Sequence, residues 1–357
     1  MDPVYDPLKT FDDNFDNGPF GDFASSREHK NQGEPSNKFL GLPVYEPFGI
    51  AAGTLPNSRY TTAAFRNGYD VVVYKTQRTV SVRANQFPNI VPIDVEGDVS
   101  LEEAERGLTL RDEFNEDPTK LTITNSFGNP SRGLGYWPED VKKALKGQGK
   151  GQLLVVSVCG TIQENQTQDE YFQDFADAAK QAYDAGAKAI ELNLSCPNVA
   201  NEGIICYTPE AVKAIVDKTR VLIPNAKLVL KFGYFSNEQQ KLLEQIVESI
   251  AEKTNAISVI NTIPAAVYKK DGTQALPGEG RLKSGLCGAG IRWAGLDMVK
   301  RLSALRSTNN YNFEIVGVGG VMTPVDYKSY RAAGADCVQA CTGPMWNPGL
   351  AAEIKST

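Results

Sequence analysis

Histidine is almost missing from this chain: its 357 residues include one, His29, in a polar N-terminal stretch. The usual general base near neutral pH is therefore scarce, and if this is an enzyme its proton transfers are expected to use another group. Cysteine is thinly spread. Cys159, Cys196, Cys206, Cys287, Cys337 and Cys341 never form Cys-x-x-Cys, which argues against an iron–sulfur cluster, a zinc ribbon or a disulfide scaffold. No apolar run approaches the ~20 residues that span a membrane. The stretch from Met1 to Phe15 is acidic and lacks the basic-then-apolar pattern of a secretory signal, so cytoplasm is the default compartment. Positive charge is in deficit, with 37 Lys and Arg against 43 Asp and Glu, so nucleic acid is not an expected partner. What is present, 41% hydrophobic and 22% charged residues, is the composition of a globular chain with a large core. The length exceeds a domain of ~100–200 residues but suits one large α/β barrel with insertions.

Residues 1–38 read as a separate polar arm, with Asp2, Asp6, Asp12, Asp13, Asp16 and Asp22 interleaved with Phe11, Phe15, Phe20 and Phe23. Such an arm either packs its phenylalanines on the barrel, stays mobile, or docks a partner. From residue 39 to 357, short β-rich runs alternate with helical stretches. The runs are Gly49–Ala52, Val71–Lys75, Leu153–Cys159, Ala189–Leu194, Leu228–Phe232, Ala256–Asn261, Glu314–Val318 and Cys337–Cys341. Most are continuous and rich in valine and isoleucine, as in parallel strands buried on both faces. Phe172, Phe175, Ala179 and Tyr183 recur at helical spacing, as do Leu242, Leu243, Ile246, Val247 and Ile250. Ser236 to Gln239 reads as a capping box, and Thr208-Pro209 as an N-cap followed by proline. Eight alternations predict a (β/α)8 TIM barrel, with long insertions after the second and sixth strands, about Thr76–Gly151 and Thr262–Phe313. Connections this long are expected to be lids or binding loops.

Nearly every run ends in glycine or a polar residue. Eight such ends converging on one rim imply a polar ligand, because an unpaired buried polar group costs roughly 1–3 kcal/mol. Gly319-Gly320 and Thr342-Gly343, after the seventh and eighth strands, stand where barrels commonly bind phosphate. Lys75 and Lys231 end two strands; each is a salt-bridge partner, a holder of negative charge on a reduced cofactor ring, or a Schiff-base lysine. Asn193-Leu-Ser-Cys-Pro-Asn198 is the most specific segment. Its amides suit the donor and acceptor edges of an imide-like ring, and the Cys196 thiol, with an ordinary pKa of ~8.5, is a base accessible near neutral pH. The other cysteines read as packing or backbone-site residues.

Residues 40 to 350 resemble the dihydroorotate dehydrogenases, and within them the class 1 enzymes. The resemblance rests on Ala51-Ala-Gly53, Lys75-Thr76, Asn125-Ser-Phe-Gly-Asn129, Asn193 to Asn198, Lys231, Asn261-Thr262, Gly319-Gly320 and Cys341-Thr342. It implies a barrel holding FMN, lined by Ala52, Gly53, Lys75, Thr76, Asn193, Lys231, Ile260, Gly288, Gly319, Gly320, Cys341 and Thr342. It implies a substrate site of Lys75, Asn125, Phe127, Gly128, Asn129, Asn193, Asn198, Asn261 and Thr262, with Cys196 as the base that takes the C5 proton of dihydroorotate while C6 passes hydride to the flavin. Class 2 enzymes have serine at that position. The resemblance also implies a homodimer, a small-molecule substrate and no membrane attachment.

Some features depart from this pattern. The arm is long, and the last helix looks clipped. The stretch Tyr268 to Gly288, and Asn261-Thr262 with Cys341-Thr342, look closer to the flavin barrel of dihydropyrimidine dehydrogenases, which act on uracil and thymine. A dihydropyrimidine oxidoreductase, a flavin-free Schiff-base enzyme and a non-catalytic binder of a nucleotide-like ligand therefore stand as alternatives. The electron acceptor is open: fumarate, NAD through a partner subunit, or another. No G-x-G-x-x-G fingerprint is present.

Overall fold

The computed structural model describes residues 3–25, 28–31, 33–195 and 205–357. Eight parallel strands close a barrel: β1 (Phe48–Ile50), β2 (Val71–Gln77), β3 (Leu153–Val158), β4 (Ala189–Asn193), β5 (Lys227–Phe232), β6 (Ala256–Val259), β7 (Glu314–Val318) and β8 (Cys337–Ala340). Each pairs with the next in sequence, and β8 returns to β1. Every expected run carries one of these strands, with ends moved by at most two residues.

Two apolar clusters follow from the two-residue period of the strands. Val71, Val73, Val155, Ala189, Val229, Ala256 and Val316 fill the lumen, whereas Val72, Val156, Ile190, Leu228, Leu230, Ile257 and Ile315 meet the surrounding helices. A hairpin of Asn37–Phe39 and Leu42–Val44 precedes β1. Its Phe39, Leu40 and Val44 belong to the lumen cluster and stop the N-terminal end of the barrel, where Leu40 N–H donates to Glu314 at 2.7 Å.

Helices occupy the connections. Phe172, Phe175 and Ala179 bury one face of Gln168–Asp184, although Tyr183 stays exposed. Leu243, Ile246, Val247 and Ile250 do the same on Gln240–Ile250. The Ser236–Gln239 box forms, but it opens a single 3-10 turn, Asn237–Gln239, ahead of that helix. Pro209 opens Pro209–Leu222 as expected, yet the Thr208 side chain makes no capping bond. After β8 come two short helices, Thr342–Trp346 and Leu350–Lys355. Among the described residues no helix is long and apolar enough to cross a membrane.

The two long connections are more ordered than binding loops. Ile90–Pro92, Leu108–Thr109 and Thr122–Asn125 from the first join Ile263–Tyr268 and Lys283–Gly288 from the second in a five-stranded sheet. Lys283–Gly288 lies at its middle, and Thr122–Asn125 beside it is antiparallel to both Ile90–Pro92 and Lys283–Gly288.

The first residues pack on this scaffold. Helix Phe11–Asn17 buries Phe11 and Phe15, and Phe23 is buried after it. Tyr5 and Phe11 meet the Phe127 ring at 5.7 and 6.1 Å between centroids, and Val4 N–H donates to Met345 at 2.8 Å. Arg132 binds Asp12 at 2.8 Å and lies over the Phe15 ring.

Candidate active site

A pocket of about 980 Å³, part of it open to solvent, lies at the C-terminal ends of the strands. Its floor is made of strand ends: Ala51 to Thr54 after β1, Lys75 in β2, Asn193 ending β4, Lys231 in β5, Ile260 after β6, Gly319-Gly320 after β7 and Cys341-Thr342 after β8. Its walls come from the inserted sheet and the loop after it: Ile90, Ile123, Asn125, Phe127, Asn129, Asn261, Thr262, Cys287 and Gly288.

Local folding explains several placements. The β2–β3 register slips between Val156 and Val158, so that Lys75 and Thr76 together oppose Ser157. Such a bulge re-aims side chains at a barrel rim. Lys75 reaches over the Phe127 ring, 5.0 Å from its centroid, and donates to the Gly53 carbonyl at 3.0 Å. Thr76 turns away from the pocket, bonds Ser157 at 2.9 Å and accepts from Asn193 Nδ2 at 3.2 Å, so it orients the amide and does not line the cavity. Asn261 Nδ2 donates to Asn193 Oδ1 at 3.4 Å and to the Ser195 carbonyl. Asn125 donates to Gly285 O at 3.3 Å and to Cys287 Sγ at 3.5 Å. Gly128 does not line the pocket either; it and Asn129 take left-handed φ values of 75° and 49°, which turn the loop and bring Asn129 to the wall. Cys196 and Asn198 lie outside the described residues.

The electrostatics are one-sided. Two lysines face the cavity, each 5% exposed, and among its described lining residues there is no Asp, Glu or His. Lys231 has no ion-pair partner among the described residues. Such a site favours an anionic or electron-rich ligand. Burial raises the Cys341 thiol, against the pull of Lys231 and Lys75. Cys287 is pushed up to about 12 by burial first and by Cys341 second. His29 sits away from the pocket, its ring beside Gly68, with its pKa lowered by burial and by Lys355. No group of three or more His, Cys, Asp or Glu able to hold a metal occurs among the described residues.

Sequence reasoning missed Thr54, Ile90, Ile123, Cys287, Ile291, Val318, Val321, Met322 and Met345. Ile123 was accessible, since it stands two residues before Asn125 and a strand puts such pairs on one face. Cys287 was not, because its neighbourhood is assembled from Asn125, Thr342 and Cys341, all distant in sequence.

A closed parallel barrel with a cation-lined pocket at its C-terminal mouth is the architecture of a barrel enzyme. The sequence profile of the family described as dihydroorotate dehydrogenase matches residues 114–356. A dihydroorotate dehydrogenase of Dictyostelium discoideum is 35% identical over 361 aligned positions, covering 98% of this chain and 95% of that protein. The catalytic subunit of dihydroorotate dehydrogenase B (NAD(+)) of Thermoplasma volcanium is 32% identical, covering 86% of each. Among solved structures, ligand-free DHODH from Eimeria tenella superposes with a TM-score of 0.69 at 19% identity, covering 93% of this chain and 88% of that one, and so shares the fold. The chain belongs to the dihydroorotate dehydrogenase family and is an oxidoreductase of the kind that acts on CH–CH bonds.

The family implies a flavin, and the residues fit one. Gly319 and Gly320 both line the cavity with positive φ, 126° and 64°, backbone conformations that favour glycine and put main chain without side chains against a ligand. A Cβ on Gly320 would come within 2.8 Å of the Gly288 carbonyl, so the cradle admits only glycine. Thr262 lines the cavity, and its Oγ1 is buried without a partner among the described residues. Ile90, Ile123, Ile260, Ile291 and Met322 supply apolar surface for a flat ring.

Proposed function

We propose that this chain is an FMN-dependent dihydroorotate dehydrogenase that oxidises dihydroorotate to orotate. The observation that carries the reading is the pocket with two buried lysines and, among its described lining residues, no carboxylate, a site suited to a phosphorylated flavin and a substrate that bears a carboxylate.

Bound FMN would accept the hydride that leaves C6. The phosphate would rest on Gly319, Gly320 and Thr342, and the ring against Ala52, Gly53, Ile260, Gly288 and Cys341, with Lys231 facing its electron-rich edge. Asn125, Asn129, Asn193, Asn261 and Thr262 would hold the pyrimidine amides and carboxylate, joined by Lys75, Phe127 and Asn198. Cys196 would take the C5 proton as thiolate, since the described lining offers no His, Asp or Glu for that role. The two pocket thiols at 287 and 341 are raised and keep their protons. A homodimer belongs to the same reading through the class 1 resemblance, while the cytoplasmic compartment and the division into an arm of residues 1–38 and a barrel of 39–357 rest on the sequence pattern.

The test is anaerobic mixing of the purified yellow protein with substrate. Dihydroorotate bleaches the flavin, and dihydrouracil, which lacks the carboxylate, leaves it oxidised at the same concentration. Equal bleaching by both would replace this reading with the dihydropyrimidine one. Cys196→Ala keeps its colour and slows bleaching by ~10²–10⁴-fold, the range of a well-placed base.

A further inference from the structure

The strand registers determine which inward side chains share a level of the lumen. Ser157 pairs with Glu191, Lys231 with Ser258, and Val318 with Gln339. Because barrel strands tilt, inward residues form layers of four drawn from alternate strands. One layer holds Glu191, Ser258, Gln339 and Val73. The level of Lys231 is directly above it, and that of Asn193, Lys75 and Cys341, which line the pocket, comes next.

Three of these four residues are polar and 0–2% exposed, and Glu191 Oε1, Ser258 Oγ and Gln339 Oε1 have no hydrogen-bond partner among the described residues. Glu191 and Gln339 arise from β4 and β8, on opposite sides of the axis. Three unpaired oxygens converging in one closed layer call for a shared polar occupant, and buried water is the usual one. Glu191 also occupies the one inward acidic position in the upper lumen. Glu314, the other inward acid on the strands, lies at the opposite end and is bonded to Leu40 N–H. Lys227 is at that far end too, and Cys337 lies one inward step below Gln339 on β8. Above, Lys231 is buried without an ion-pair partner among the described residues. A buried ammonium without a counter-charge is costly.

We propose that Glu191 is the buried counter-charge of Lys231, within a hydrated layer shared with Ser258 and Gln339, and that it is a positioning residue for the lysine that faces the flavin. The flavin part rests on the proposed function; the Glu191–Lys231 pairing does not. The carboxylate neutralises the lysine from below, so the positive charge felt by the ring is set by both groups.

The experiment uses the whole protein with its side-chain carboxyl carbons of glutamate and ε-carbons of lysine labelled for NMR. The result expected in the wild type is a carboxylate signal from Glu191 at pH 7. In Glu191→Gln, Lys231 releases its proton about tenfold more readily, and the flavin reduction equilibrium moves about tenfold toward the reduced form, or ~30 mV upward for a two-electron couple. Glu191→Asp, which keeps the charge, restores both to within about threefold, less than 0.7 kcal/mol. A protonated Glu191 in the wild type, or a Lys231 titration and flavin equilibrium unmoved in Glu191→Gln, would overturn the proposal. The wild-type carboxyl signal decides even where the glutamine variant does not fold. A protein without flavin would refute the proposed function while leaving the carboxyl and lysine signals to judge this pairing.

Discussion

Cys287 and Cys341 face the same cavity as the lysines, yet burial raises both thiols and at Cys341 outweighs the pull of Lys231 and Lys75. A thiol at about 12 holds its proton throughout pH 6–9, so Cys287 contributes no pH dependence to flavin reduction in that range. We expect Cys287→Ala to keep the wild-type pH profile in stopped-flow bleaching, and Cys196→Ala to flatten it. Gly320 gives a second prediction at this scale. Its Cβ would stand 2.7 Å from Arg292 Cβ and 2.8 Å from a backbone oxygen, at a φ of 64°. Gly320→Val should therefore lose flavin and also lower the melting temperature, since the neighbouring backbone cannot yield at little cost. Lys75, Asn193, Lys231 and the glycine pair were legible because each stands at or beside the C-terminal end of a strand, where alternation and topology together say which way a residue faces. Cys287 and Met345 were not, since nothing local distinguishes them from packing residues.

Elements show the same division. The eight barrel strands were legible because a parallel strand buried on both faces writes itself as an unbroken apolar run. The five-stranded sheet was hidden. Its strands are two to six residues long and mixed in character, and Thr122–Asn125 finds its partner in Lys283–Gly288, about 160 positions away. Helix Phe11–Asn17 braces this region from behind, because Phe11 supports Phe127, which carries Lys75 on its face and lines the pocket. Phe11→Ala removes that support. The expected result is a KM for dihydroorotate raised about tenfold, or ~1.4 kcal/mol of substrate binding, with kcat within about threefold and flavin content unchanged. Equal losses in KM, kcat and flavin would make the helix a general stabiliser only.

For the whole molecule, buried thiols set an alkaline limit. Burial pushes Cys206 up to about 12 and Cys337 well above its ordinary range. The unfolded chain gives up these protons first, near pH ~8.5. The stability held by the neutral thiols is thus complete below that pH and is lost as pH rises toward the folded values. For Cys206 the loss is roughly 2 kcal/mol by pH 10. Thermal melting should be flat in this respect from pH 6 to 8 and fall above pH 9, and Cys206→Ala should fall less steeply.

The hairpin of Phe39, Leu40 and Val44 has a kinetic consequence. A barrel stoppered at one end is a cul-de-sac: a small-molecule acceptor that reaches the pocket uses the doorway that the substrate uses. The two visitors then take turns. Orotate lingering in the pocket should act as a competitive inhibitor toward the electron acceptor, and double-reciprocal plots at several acceptor concentrations should run parallel, as when a first product departs before a second substrate arrives.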